Sequence, residues 1–471
     1  MHGSRQLGIV LFVVALPALA ATTPPTDAYL DGSRARWEEA ADSIWGFAET
    51  ALKEEKSSAL LEAILEKEGF TVQHGVAGLP TAFVATAGSG APVVALMAEY
   101  DALPGLSQKG GETKKTSIVE GTPGHGCAHN LLGTAAVAAA VAANRQRVEQ
   151  KLPGTIKLYG TPAEEQLQGK IFMVRGGLFD GVDAVLAWHP EEENYLYTGK
   201  RLAITGIDVE FFGKTAHAAG SPWLGRSALD ALELFDHAVS LMREHVLPTA
   251  RLHRIIKNGG AAPNIIPDYT RLQMYVRDES GDRVNEMLGR IRKAVDGAAM
   301  ATETTAKVTV LFGTRDPIYN DSLNRVLQRH LERVGAPRWD DADQAFARAV
   351  QKELGSAESG LASAVTAYGP AHGPTASSDN GDVSEVVPLI ELAVATRPQG
   401  TPAHHWAQTT CALHPIGRKG MLVAAKVLAA SAADLLRDPK TLAAAKQEWK
   451  ASVAARPFVS PVPKDAVPKV Y

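Results

Sequence analysis

Cysteine is almost absent: Cys127 and Cys411 are the only two in 471 residues. That excludes a disulfide-stapled scaffold and any four-cysteine zinc module. No excess of one charge exists either. The 48 Lys and Arg stand against 52 Asp and Glu, a formal net charge of −4, which leaves no electrostatic footprint for nucleic acid. Long apolar runs are missing. Leu7–Leu16 is apolar apart from Gly8, and Ala135–Ala143 is alanine-rich, but neither approaches the roughly 18 residues of a membrane-spanning helix. No internal repeat occurs, and no Walker, Rossmann, G-x-S-x-G or H-E-x-x-H pattern. The nucleotide-binding, serine-hydrolase and zincin readings fall with them.

What is present is ordinary globular chemistry, 45% hydrophobic and 21% charged, in a chain long enough for two to four domains at roughly 100–200 residues each. Residues 1–20 read as a secretory signal peptide. Arg5 precedes the apolar run, and Pro17 then Ala18-Leu19-Ala20 supply a small-x-small cleavage pattern. The expectation is a periplasmic or secreted protein with no membrane attachment after cleavage.

The strand–helix rhythm changes along the chain. Val93–Met97, Thr155–Tyr159 and Ala184–Trp188 are continuous apolar runs, as suits strands buried on both faces of a parallel α/β sheet. Each leads into a polar cluster: Glu99-Tyr100-Asp101, Thr161–Glu165 and His189-Pro190. Ligands of such sheets gather beyond the carboxyl ends of strands. From about Ile207 the pattern alternates instead. Strand patterns at Ile207–Phe211, Arg251–Ile256, Leu272–Val276 and Val308–Val310 are interleaved with helical stripes beginning near Ala228, capped by Ser227, and near Val284. The order βαββαβ is a ferredoxin-like unit, inserted into the surrounding α/β chain. The expected divisions are 24–204 and 314–438 for the two parts of the main domain, 205–313 for the insert and 439–471 for a polar, then proline-rich tail that wraps a surface.

Paired carboxylates and a histidine stand at these strand ends; a cysteine and further histidines lie in loops elsewhere in the chain. Cys127 and His129 flank Ala128 in a glycine-rich loop before the alanine-rich helix, offering a thiolate and an imidazole to a zinc-like ion. Glu164-Glu165 repel unless a cation or solvent compensates. His189 follows a buried run, and His404-His405 stand near the end of the fold. Each has a plainer explanation: a Cys127–Cys411 disulfide, a solvated acidic loop, a structural histidine. Together they supply ligands for two divalent ions and one spare base, a set able to activate water and polarise a carbonyl.

The ordered motifs Ala98–Pro104, Gly124–Asn130, Pro162–Glu165, Trp188–Pro190, Gly213–Ala219 and Asn264–Pro267 resemble the M20 metallopeptidase family in its amidohydrolase branch. Ser377–Ser384 and Thr401–His404 are most similar to the aminobenzoyl-glutamate hydrolase B-subunit group within it. The resemblance implies a metal-dependent amidohydrolase that cleaves an N-acyl amino acid, an N-aroyl glutamate being the sharpest case. A broad-specificity dipeptidase or aminoacylase, or a non-catalytic partner subunit, are the alternatives. It implies an α/β catalytic domain with a mixed, largely parallel sheet and two metal ions, zinc or manganese, interrupted by a lid and dimerisation domain. It implies a homodimer, or pairing with a paralogous subunit. By the same resemblance Cys127, His129, Glu165, His189 and His404 are the metal ligands, with His405 the alternative for the last. Glu164 is the general acid/base, Asp101 orients a ligand, His217 steadies the oxyanion, and Asn264 and Arg277 bind the substrate carboxylate. The insert Gly105–Pro123 lies next to the expected site.

Overall fold

The computed structural model describes residues 24–199, 201–369 and 376–470, so the expected signal peptide lies outside the described residues. Among these residues the strands are β1 (Thr71–His74), β2 (Phe83–Ser89), β3 (Val93–Ala98), β4 (Gly154–Gly160), β5 (Ala184–Glu191), β6 (Tyr195–Leu196), β7 (Ala203–Phe212), β8 (Arg251–Asn258), β9 (Tyr269–Asp278), β10 (Thr305–Thr314) and β11 (Leu389–Ala395). They form two sheets.

The larger is a seven-stranded mixed sheet of order β1-β2-β4-β3-β5-β11-β6. Its centre, β4, β3, β5 and β11, is parallel. β1, β2 and β6 add antiparallel margins. Both faces are covered, which is why these strands do not alternate in polarity. Val94, Leu96 and Ala98 of β3 face one apolar cluster and Ala95 and Met97 face another. On the first face lies the helix His129–Glu149, buried along nearly its whole length. Its run of alanines lets the helix Pro415–Arg437 pack closely through Ala424, Ala425, Leu428 and Ala432.

The second sheet is antiparallel, of order β10-β7-β9-β8. Its chain order is strand, helix Ala228–Met242, two strands, helix Gly281–Ala301, strand. Alternate residues of β7 and β9 (Ile207, Val209, Phe211; Leu272, Met274, Val276) meet Leu232, Phe235, Leu288 and Ile291 of the helices in a core of its own. Ser227 starts the first helix, its hydroxyl accepting from Asp230 N at 3.1 Å. β8 is an edge strand with Ile255 and Ile256 exposed.

Two details differ from the sequence reading. His189 lies inside β5 rather than after it. The tail begins with a helix, Pro439–Ala454, whose Asp438 cap accepts from Lys440 N and Thr441 N, both at 3.1 Å. Its polar composition concealed a helix that buries only Leu442 and Ala445. No described helix is long and apolar enough to cross a membrane.

Candidate active site

Because β3, β4, β5 and β11 are parallel, the loops that follow them open at one edge of the sheet, and the functional side chains converge there. Glu99 and Asp101 follow β3, Glu164 and Glu165 follow β4, His189 is near the end of β5, and His404 lies beyond β11. Cys127 and His129 arrive on the loop that enters the long buried helix. Ala128 between them adopts φ 60°, turning the chain into the helix. Gly133 then lets this helix approach the end of β3: a Cβ there would sit 2.5 Å from Glu99 O.

Three groups of ligand atoms result, each within 4.8 Å mutually: Cys127, His129 and His189; Cys127, Glu165 and His404; and Glu99, His129 and Glu164. The Cys127 sulfur belongs to the first two. It lies 3.4 Å from His189 Nε2, and His404 Nε2 is 3.3 Å from Glu165 Oε2. Burial opposes ionisation of Cys127, but the adjacent His129 and His189 imidazoles more than offset it and hold the thiol well below its ordinary range. His129 is raised in turn, against its burial, by Cys127 and Asp101. Cys127 and Cys411 are both free, so the disulfide alternative does not occur.

The residues around the cluster fix its orientation. Asp101 works with both oxygens: Oδ1 is 2.9 Å from His129 Nδ1, and Oδ2 accepts from Glu165 N at 3.0 Å. The His129 ring is thus turned with Nε2 toward the cluster. Glu54, buried, accepts from Ala163 N at 2.9 Å and from the Thr81 hydroxyl at 2.8 Å. His405 is occupied elsewhere, its Nδ1 capping the helix Trp406–Leu413 by accepting from Ala407 N at 3.3 Å. Of the two adjacent histidines, His404 is the one at the cluster.

Glu164 lies beside a second buried network. Lys170, fully buried, bridges Glu99 Oε1 at 2.7 Å and the Asp379 carboxylate. Burial, with Glu99 and Asp379 nearby, pushes the Glu164 carboxyl up to about 8, while Lys170 pulls the other way. Glu99 Oε2 and His129 Nε2 face each other at 3.3 Å without hydrogen-bond geometry. Glu165 Oε1 is likewise buried without a hydrogen-bond partner among the described residues.

A cavity of about 550 Å³ opens over the cluster, lined by Cys127, Glu164, Glu165, His189 and His404, and also by Tyr195, Arg201, Arg277 and Arg397. Two of these arginines are neutralised: Arg201 donates to Glu391 and Arg397 to Glu191, both at 2.6 Å. Arg277 is not. Its Nη1 donates to Ser377 Oγ at 3.0 Å and its buried Nε has no hydrogen-bond partner among the described residues.

His217 and Asn264 are not at this cavity. They sit together on loops of the second sheet, exposed, with His217 bridging Ile265 and its Nδ1 accepting from Gly220 N at 3.0 Å. Sequence reasoning assigned no role to Glu54, Lys170, Asp379, Glu191 or Arg397. Their partners are far away in the chain, and only the fold brings them together. The insert Gly105–Pro123 is an ordered loop, organised by Gln108 Nε2 donating to Lys114 O at 2.9 Å and by Thr410 Oγ1 donating to Glu112 O at 2.8 Å.

A buried thiolate, imidazoles and carboxylates at the carboxyl edge of a parallel sheet define a hydrolase of the metallopeptidase class. The chain belongs to peptidase family M20/M25/M40, whose model matches residues 95–393. It is accordingly an enzyme that hydrolyses amide bonds. It is 37% identical to one of the subunits of p-aminobenzoyl-glutamate hydrolase from Escherichia coli (strain K12), over 94% of this chain and 98% of that one. It is 32% identical to the Xaa-Arg dipeptidase of Mus musculus, over 93% and 96%. Among solved structures it resembles a dinuclear metal-binding M20 peptidase from Bacillus subtilis, with a TM-score of 0.59 and 18% identity over 86% of this chain and 99% of that one. An aminobenzoyl-glutamate utilization protein from Klebsiella pneumoniae aligns with a TM-score of 0.56 and 19% identity, over 87% and 97%.

Proposed function

We propose that this chain cleaves the amide bond of N-acyl amino acids with the help of two divalent cations, zinc or manganese, and that an N-aroyl glutamate such as p-aminobenzoyl-glutamate is its favoured substrate. The observation that carries this reading is the pair of ligand groups sharing Cys127, beneath a cavity that Glu164 and Arg277 also line. The donor set fits such ions: a thiolate, imidazoles, and the orphaned Glu165 Oε1. Cys127, His129 and His189 would hold one ion, and Cys127, Glu165 and His404 the other. When bound, the ions supply polarisation of the scissile carbonyl and a lower pKa for the attacking water.

The chain's own residues do the rest. Glu164 takes the proton of the attacking water and returns it to the leaving amine nitrogen. Asp101 keeps His129 and the Glu165 backbone in register. Arg277, the cavity arginine without a carboxylate partner among the described residues, receives the substrate carboxylate, a task its planar fork suits.

The second sheet is read as a ferredoxin-like lid and dimerisation domain over 205–313, inserted between catalytic parts 24–204 and 314–438. His217 and Asn264, exposed on it, are read as completing the cavity of a second copy, where they steady the oxyanion and bind substrate. The exposed Trp223, Leu224, Ile255 and Ile256 on that domain support a homodimer; a paralogous partner subunit is the alternative. Export by the N-terminal segment belongs to the same reading and is checked by N-terminal sequencing of the mature protein. One observation favours a dipeptidase: Glu192 and Glu193 line the cavity beside the Arg397-paired Glu191, where a cationic substrate group would find carboxylates. A hydrolysis screen of p-aminobenzoyl-glutamate, hippurate, other acyl amino acids and Xaa-Arg dipeptides, with and without chelator, decides. Preference for acyl amino acids supports the proposal, preference for dipeptides the second reading, and chelator-insensitive cleavage contradicts both.

A further inference from the structure

The turn that carries Glu164 and Glu165 is strained. Ala163 and Leu167 flank it at φ 57° and 51°, a left-handed conformation disfavoured for residues with a Cβ. Between them is a single turn of 3₁₀ helix, Glu164–Gln166. It closes tightly on itself, since a Cβ on Gly169 would lie 1.9 Å from Pro162 O. Such geometry persists only where its surroundings over-determine it. Three supports come from the fold already described. Glu54 holds Ala163 N and Asp101 holds Glu165 N. Leu167 packs against Ile204, Leu311 and Phe312 at the base of the second sheet.

The fourth support comes from residues 456–470. After the helix Pro439–Ala454 this segment crosses the place where β10 leaves the second sheet. Arg456 Nη1 donates to Asp316 at 2.7 Å, and Pro457 O accepts from Arg315 Nη1 at 3.3 Å. Pro461 lies on Gly313, where a Cβ would come within 2.7 Å of its Cγ. Val462 is buried, and Arg175 donates to Lys464 O and Ala466 O. At Lys469 the segment reaches the buried side chain of Gln168: Lys469 N donates to Oε1 at 2.9 Å and Lys469 O accepts from Nε2 at 2.5 Å. A primary amide is the side chain that answers one N–H and one C=O at once.

We propose that residues 456–470 are a strap that clamps the Glu164–Gln168 turn to the base of the second sheet, with Gln168 as the positioning residue through which it holds the Glu164 and Glu165 carboxylates. The mechanical part stands on the contacts alone; its kinetic consequence rests on the role given to Glu164 above. The test uses Gln168→Ala and Gln168→Glu in the full chain, beside a chain ended after Ser460. Hydrogen exchange is read over residues 162–169, and kcat and KM are read with p-aminobenzoyl-glutamate, at matched metal content. Gln168→Glu keeps the acceptor for Lys469 N and loses the donor to Lys469 O. Exchange should quicken by about ten-fold, and kcat should fall roughly ten- to a hundred-fold with KM within about two-fold, as a misplaced catalytic group predicts. Gln168→Glu should fall between wild type and Gln168→Ala. Unaltered exchange in Gln168→Ala and in the shortened chain overturns the strap. Faster exchange with unaltered kcat upholds the strap and counts against Glu164 as the acid/base.

Discussion

The two sets of residues assigned to the chemistry live in opposite surroundings. Cys127, His129, Glu165 and their supports Asp101 and Glu54 are packed at the end of a parallel sheet, each held by partners from distant segments of the chain. His217 and Asn264 stand exposed on loops of the second sheet, tied only to their own neighbourhood. On the proposed reading, one chain pre-organises the cation-binding half of the site, where a small displacement is costly, and leaves the substrate-facing half to be delivered by motion or by another copy. Arg277 stands between them: it belongs to β9 of the second sheet, yet lines the cavity of the body.

The largest expected effect tests the buried half. Glu164→Gln should lower kcat by on the order of 10²–10⁴ while leaving metal content intact; near-normal turnover would remove Glu164 from the chemistry. On the exposed half, His217→Ala should lower kcat by about 10²–10³ with metal content and melting temperature unchanged. If kcat is unchanged as well, the exposed His217 contributes nothing to the reaction and the contrast collapses.

Burial also leaves a signature in stability. Asp382, in the helix Asn380–Val386 of the body, accepts from Arg315 N at 3.0 Å, and its Oδ2 is buried without a hydrogen-bond partner among the described residues. Burial pushes its carboxyl from the ordinary 3.8 up to about 7. The folded state thus holds a proton that the unfolded state has released. This contribution is complete below about pH 4 and is lost as pH rises through about 7. Asp382→Asn keeps the acceptor without the charge. It should stabilise the protein at pH 8 by on the order of 2 kcal/mol and flatten the pH 4–7 slope of stability measured by denaturant titration. An unchanged slope would mean that the cost of burial in the body lies elsewhere. The smallest effect is expected where the halves meet: Arg277→Ala should raise KM for free-acid substrates by about ten-fold and leave ester-capped analogues little changed. Equal losses would refute a carboxylate role.

Elements with a regular period were legible in the sequence, and so was the edge at which the site gathers. Continuous apolar runs announced β3, β4 and β5, and alternation announced β7 and β9. Glu165 and His189 could be read as strand-end polarity, and Cys127 and His129 as a glycine-rich loop opening a helix. The Lys170 bridge between Glu99 and Asp379 could not, because its three members are separated by long stretches of chain and each looks like a solvated charge. Nor could the left-handed Ala163 and Leu167 be foreseen, since neither residue type favours that conformation and the strain is set by contacts from Glu54 and the second sheet. The choice between His404 and His405 needed the cap on Ala407 N. The helix Pro439–Ala454 was hidden because few of its side chains enter a core.

The central claim is that two cations share the Cys127 thiolate. Elemental analysis of the purified chain beside Cys127→Ala, after equilibration with zinc or manganese and removal of free ion, tests it most directly. About two ions per wild-type chain and near-complete loss of both in the variant are expected, since the sulfur belongs to both of the ligand groups proposed to hold an ion. A Cys127→Ala protein that keeps the full wild-type complement would contradict it.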